Sequence, residues 1–207
     1  SRCFLNDNDA FIINSYLPLK MEIKLELILK QWPQIWRFHD TKLDLSEIVK
    51  VPDKLLRERL TNKFIYKSDC DFESIVRSLL FELLPICYLE GFKELKKITN
   101  QQPWPKSPKF IFTSNNFDTD EVFKLWTASK VELGFKYYVG QHGGSYGTKK
   151  SHSYQNEILT SDKFITWGYK KLSHQSPAFI FKTVGIKKNI YNSKGGLILM
   201  QLCHSGC

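Results

Sequence analysis

The chain has 207 residues, 42% of them hydrophobic and 25% charged, which suits one large domain or two small ones with a sizeable core. Its formal net charge of +9 favours acidic partners: phosphates, nucleotides, anionic lipid or nucleic acid. The basic residues are spread along the chain, with no RNA-recognition aromatic motif, no zinc finger and no apolar run of membrane-span length. These features argue against specific nucleic-acid binding and an integral membrane segment, and leave peripheral membrane contact open. Five widely spaced cysteines (Cys3, Cys70, Cys87, Cys203, Cys207) fit a reduced, cytoplasmic setting better than a disulfide framework. No signal peptide is visible, and because the first residue is serine the natural start is left open.

In chain order, residues 10–17 are apolar with aromatic and β-branched members and read as a strand or an apolar approach to the next helix. Residues 19–30 have helical periodicity, with Leu19, Ile23 and Leu27 on one stripe, Leu25, Ile28 and Leu29 beside it, and glutamates and lysines on the other face. Trp36, Phe38 and His39 come next, His39 reading as structural or exposed. Residues 53–67 form a second amphipathic helix whose Arg57 and Arg59 are either solvated charges or phosphate contacts. Asp71 is a good N-cap, and Phe72, Ile75, Val76, Leu79, Leu80 and Leu83 make the cleanest helical stripe in the chain. Pro85 interrupts it. Cys87 reads as a small core residue, and Glu90, set among apolar neighbours, as either paired or turned to a cleft.

A proline-rich loop, 101–109, leads to a strong strand at 110–114 and a polar strand-end loop at 115–118. Asp118 or Thr119 caps the next helix, which runs to Gly134. The central stretch is 136–168. Residues 136–140 are a short buried strand. Gln141-His142-Gly143-Gly144-Ser145-Tyr146-Gly147 then sets a histidine at the strand mouth in a glycine-rich loop, a short helix comes after it, and 161–168 is the next strand. The order strand–helix–strand–loop–helix–strand is that of parallel βαβ units. Ligands of such sheets sit beyond the carboxyl ends of the strands, histidine titrates near neutrality, and glycine lets the backbone approach an anion. The other reading is a tight turn and a surface histidine bonded to backbone. After Gly168 the chain is polar until 178–181, and 197–202 opens a further hydrophobic strand. No helix or neighbouring strand comes after it to bury it, so a second α/β domain is expected to start there and stop.

These motifs carry a resemblance. YVGQHGGSYGT, then Glu157 and SDKFITWG, with PICYLEGF and SYLPLKMEIKLELILKQWPQIW upstream, resemble the transferases encoded in bacterial surface-polysaccharide (O-antigen and capsule) gene clusters. The resemblance reaches to about Gly196. It implies an α/β fold: the Rossmann-like, acceptor-side half of a GT-B-type glycosyltransferase, residues 1–195 with a helical segment at 19–100, and the start of a truncated second domain at 196–207. It further implies transfer of a sugar or sugar-phosphate group from a nucleotide-activated donor to a glycan or lipid-linked acceptor, in the cytoplasm or at the inner face of the membrane. A second-domain chain would be a further partner, and no covalently bound cofactor is implied.

On that resemblance His142 is the candidate general base and Glu157 a second catalytic candidate. Gln141, Gly143, Gly144, Ser145, Tyr146, Gly147 and Asp162 are the candidate ligand contacts, with Lys149 or Lys150 as further helpers for a departing anion. The family's histidine beside the glutamate is replaced by Asn156. Each site residue keeps a plainer reading: Glu157 a helix-surface charge, Tyr146 a cover for the turn, Asp162 a cap before Phe164, Trp167 a core or cleft-wall residue. His152 and His174 read as exposed and form no metal-ligand spacing with His142 and Glu157, so no metal site is expected. The competing hypothesis is a non-catalytic, truncated product that acts by binding a partner.

Overall fold

The computed structural model describes residues 5–36, 51–64, 70–143, 146, 155–178 and 194. The order is β1 (Phe11–Ile13), α1 (Leu19–Ile28), α2 (Lys54–Phe64), α3 (Asp71–Leu83), a 3-10 turn (Ile86–Tyr88), α4 (Phe92–Asn100), β2 (Ile111–Thr113), α5 (Glu121–Glu132), β3 (Tyr137–Gly140), α6 (Gln155–Thr160), β4 (Lys163–Thr166) and β5 (Gln175–Pro177). The five strands form one sheet in the order β1-β2-β3-β4-β5, and every pair is parallel. This is the α/β, Rossmann-like arrangement expected from the alternation of strands and helices. Its order runs without reversal, so the described strands contain no topological switch point of the kind that marks ligand crevices in doubly wound sheets.

Strand residues alternate between the two faces. Phe11, Ile13, Ile111, Tyr137, Val139 and Phe164 join Leu95 of α4 and Val122, Phe123 and Trp126 of α5 in the larger core, with Trp104 and Tyr146. Ile12 and Phe112 face the other way, onto Leu25 of α1 and Leu29 just past its end, with Tyr16, Leu17, Phe110, Tyr138 and Ile165. Helices therefore cover both faces. β5 lies in a stretch that reads as polar and patternless; as an edge strand of three residues containing Pro177 it carries almost no apolar signal.

Helix α5 is capped by Asp120, whose carboxylate accepts from the Phe123 N–H at 2.9 Å, and not by Asp118 or Thr119. It closes in a Schellman arrangement: Phe135 N–H donates to Lys130 O and Gly134 N–H to Val131 O, with Gly134 at φ 90°. The sidedness of α1 departs from its sequence pattern. Glu22 and Glu26 are each 1% exposed, while Leu27 and Ile28 are 58% and 66% exposed. The burial is supported by hydrogen bonds. The Ser15 hydroxyl donates to Glu22 at 2.6 Å, and the Gln34 N–H donates to Glu26.

The stripe of α3 is as regular as its spacing predicts, yet no residue of α3 is buried, and Phe72 and Leu83 are about three-quarters exposed. Cys87 is half-buried against the larger core. Glu90 is paired: its carboxylate receives Arg57 Nε and Nη2, both at 2.7 Å. Arg57 also donates to the carbonyls of Phe81, Glu82 and Leu84 at the end of α3. Its charge is thus spent inside the fold. The expected strand at 197–202, together with Phe38, His39, Lys149, Lys150 and His152, lies outside the described residues.

Candidate functional site

The carboxyl ends of β1, β2 and β3 bring together side chains far apart in the chain. β1 ends at Ile13, and Asn14 and Tyr16 just beyond it hold positive φ values of 46° and 58°. A left-handed backbone at a residue such as Tyr16 costs roughly 1–2 kcal/mol, and such strain is concentrated at ligand-binding and active sites. The Asn14 amide donates to Asn116, whose own amide donates to Asp120 at 3.1 Å. The Ser114 hydroxyl donates to the Ser15 carbonyl at 3.0 Å. These bonds lock the β1 and β2 mouths to each other.

His142 stands at the mouth of β3, half-buried, with its ring edge-on to Tyr16 at 6.4 Å between centroids. Its Nδ1 lies 2.7 Å from the Tyr146 hydroxyl oxygen. The same hydroxyl donates to Glu157 Oε2 at 2.6 Å. Glu157 is 1% exposed, and its Oε1 lies 3.8 Å from His142 Nδ1 with no hydrogen-bond partner among the described residues. Tyr146 is itself buried and packs on Phe164, so it covers the turn from inside and shows no open ring face.

Burial lowers the proton affinity of His142, against the opposing effects of the Asp118 charge and a backbone hydrogen bond with Ser114. Burial raises the Glu157 carboxyl to about 7; the Tyr146 bond opposes this and the Asp118 charge adds to it. Burial also raises Tyr137, whose hydroxyl is enclosed with no hydrogen-bond partner among the described residues, and Glu157 and Asp118 contribute further. A histidine kept neutral beside a carboxyl that titrates near neutrality is suited to proton transfer.

Other predicted contacts have structural positions. Gln141 is buried; its Nε2 donates to Gly143 O and its Oε1 accepts from the Trp167 N–H, both at 2.9 Å, which ties the loop to the end of β4. A methyl group at Gly143 would meet Tyr146 Cε2 at 3.9 Å, an ordinary contact, so no close packing demands glycine there. Asp162 is not brought to this site. It lies at the amino end of β4, where it accepts from Lys136 Nζ at 2.6 Å and from the Tyr137 N–H at 3.0 Å. Gly144, Ser145 and Gly147 lie outside the described residues.

Asp118 and Tyr16 belong to the site but were not legible as such in the sequence. Asp118 resembles one more capping residue of α5, and Tyr16 resembles the end of an apolar strand. Asp118, His142 and Glu157 each offer a ligand atom within 4.8 Å of the others. The Tyr146 hydroxyl already engages His142 Nδ1 and Glu157 Oε2, so a cation there would have to compete with it.

A parallel five-stranded sheet flanked by helices defines an α/β protein of Rossmann-like type, with an ionisable cluster at the carboxyl edge of the sheet as its candidate site. The chain belongs to the LIC12162 family of transferases, whose family model matches residues 1–205. Comparison with curated proteins and with solved structures gives no match. Among the described residues no helix is long and apolar enough to cross a membrane.

Proposed function

We propose that this chain is the acceptor-side domain of a GT-B-type transferase in surface-polysaccharide biosynthesis, of the O-antigen or capsule kind. It moves a sugar or sugar-phosphate group from a nucleotide-activated donor to a hydroxyl of a glycan or lipid-linked acceptor. The setting is cytoplasmic, at the inner face of the membrane, with the donor nucleotide held in part by a second domain or chain. Membership of a transferase family supports the reaction class. The observation that carries the site is His142 at the mouth of β3, held through Tyr146 to the buried Glu157.

His142 is the general base. Nδ1 is engaged by Tyr146 and the ring also bonds the Ser114 backbone, so the acceptor hydroxyl has to displace one of these contacts to reach a ring nitrogen. The donor nucleotide departs as an anion, and N–H groups of the 140–147 loop are the proposed contacts that stabilise it. Titration calorimetry with nucleoside diphosphates and nucleotide sugars, joined to a transfer assay, tests the reading. Micromolar binding that is lost on changing the His142 loop is expected, with a fall in transfer of at least ~100-fold in His142→Ala and an unchanged fold. Unchanged turnover in His142→Ala removes the base assignment. A well-folded chain that binds no nucleotide has its donor site elsewhere.

A second reading, a partner-binding module without catalysis, is favoured by one observation: the apolar stripe of α3 is exposed along its length. Sedimentation of the chain and of Leu79→Lys/Leu83→Lys separates the two. Association that this pair of changes abolishes supports the module; a wild-type monomer at high concentration counts against self-association through α3.

A further inference from the structure

Helix α1 turns its acids inward and much of its aliphatic surface outward. Between Ala10 and Trp36 the chain has two acidic residues, Glu22 and Glu26, and both are buried. Hydrogen bonds from Ser15 and from the Gln34 backbone hold them there. From Leu19 to Lys30 no exposed residue is therefore negative. The outer side carries Met21, Leu27 and Ile28, each more than half exposed, with Lys20, Lys24 and Lys30 exposed among them. Lys20, Lys24 and Leu27 lie along one strip of the helix (i, i+4, i+7), and Met21 and Ile28 along the strip beside it. Lys109 adds a positive charge at the carboxyl end, where its Nζ donates to the Leu29 carbonyl at 2.8 Å.

Apolar residues scattered singly over a surface need no explanation. Here they adjoin one another on a helix face and alternate only with lysines, whose stems lie along apolar surface while the ammonium reaches outward. An aliphatic ridge bordered by lysine is the composition of a helix that lies in a membrane interface. Its uniform positive sign complements an anionic headgroup layer and repels a second copy of the same face.

We propose that the outer face of α1 docks this chain on an anionic lipid bilayer, with Met21, Leu27 and Ile28 entering the headgroup boundary and Lys20, Lys24 and Lys30 meeting lipid phosphates. The inference deepens the proposed function and rests on that reading for the lipid-linked acceptor, but not for the docking itself. The amino end of α1 adjoins the site: Leu19 opens the helix shortly after Tyr16, whose ring is edge-on to His142. The chain between them reaches at most about 11 Å. A helix lying on the bilayer thus keeps the mouth of the sheet close to an acceptor anchored in the same leaflet.

The test is co-sedimentation of the full 207-residue chain with vesicles of phosphatidylcholine, alone or with about 30% phosphatidylglycerol, at about 100 mM salt. Binding to the anionic vesicles is expected, and at least ~20-fold weaker binding to the neutral ones. Lys20→Gln/Lys24→Gln is expected to weaken binding ~25-fold, about fivefold for each lysine near the surface. Leu27→Gln/Ile28→Gln is expected to weaken it at least ~10-fold at unchanged net charge. All four side chains are exposed, and far-UV dichroism with a urea midpoint checks that the variants fold. Lys170→Gln/Lys171→Gln removes the same charge ahead of β5, at the sheet edge opposite β1, and is expected to change binding less than about twofold. A wild-type chain that ignores anionic vesicles overturns the proposal, as do α1 variants that bind like the wild type. A Lys170/Lys171 change that costs as much as the α1 lysines also overturns it, by reducing the binding to net charge. So does a dimer, formed without vesicles, that Leu27→Gln/Ile28→Gln dissolves, because the face then belongs to a second copy. No donor or acceptor enters the experiment, so failure of the transferase reading shows separately, in the transfer assay with His142→Ala.

Discussion

Gln141 shows how a residue at the site serves by holding others in place. Its amide closes the turn onto Gly143 and reaches across to the Trp167 N–H, so one side chain sets where His142 leaves the strand. Gln141→Ala removes both bonds inside a buried corner, and the expected loss is ~2 kcal/mol, read as a lower urea midpoint with unchanged slope. A loss below about 0.5 kcal/mol would mean that the loop holds without the clamp. The residue pattern alone picked out His142, because a histidine in a glycine loop after a strand is a local signal. Tyr146 as a bridge, Asp118 as a neighbour and Tyr16 as a wall were not legible. The Tyr146 bridge rests on loop geometry over 4 and 11 positions, whereas Asp118 and Tyr16 depend on approach between strands whose pairing is written nowhere near those residues; the Asn14–Asn116 bond that locks two of the mouths spans 102 positions.

At the scale of elements, periodicity is a sound guide to helices and a poor one to what covers them. The stripe of α3 is a helix face, as its spacing predicts, but its partner surface is not among the described residues. In α1 the burial runs against the simple apolar pattern, because Ser15 and the Gln34 backbone supply hydrogen bonds to two glutamates that periodicity assigns to solvent. What fixes α2 is the Arg57–Glu90 pair, whose side chains are 9% and 5% exposed and which also ties α2 to the end of α3. The Arg57 hydrogen bond draws the Glu90 carboxyl down to about 2 against the cost of burial. Its folded value lies below its unfolded one, so its contribution is present above the ordinary glutamate range and is lost as pH falls from about 4.5 towards 2. Glu90→Gln is expected to cost on the order of 3 kcal/mol. Hydrogen exchange checks this: the amides of α2 lose protection in the variant, and in the wild type below about pH 4, while those of β2 and β3 keep theirs. Equal loss in the sheet would show that the pair supports the whole domain and not the helical arm alone.

Over the whole molecule, two of the carboxyls buried deepest pull stability in the opposite direction. Glu26 on the buried face of α1 and Glu157 behind His142 are both raised to about 7, chiefly by burial. In each, the folded chain keeps its proton to a higher pH than the unfolded chain, so folding is favoured below the ordinary glutamate range and the advantage drains away as pH rises from about 4.5 through 7. Each such shift is worth about 3 kcal/mol between its limits. Glu90 acts below that window and with the opposite sign, so the two effects leave a stability maximum on the acid side of neutrality instead of a plateau through it. Urea midpoints measured from about pH 3 to 8 should therefore climb to about pH 5 and then fall. Glu26→Gln should flatten the fall without touching transfer, because Glu26 sits on the buried face of α1 and accepts from the Gln34 N–H, with no contact to the His142 loop among the described residues. Glu157→Gln should flatten it as well, and in that variant the loss of transfer and the gain in stability at about pH 8 should appear together. A profile that stays level from about pH 5 to 8 in the wild type would show that water or a cation reaches these carboxylates in solution. The buried glutamates would then be ionised partners within the fold and not stores of protons.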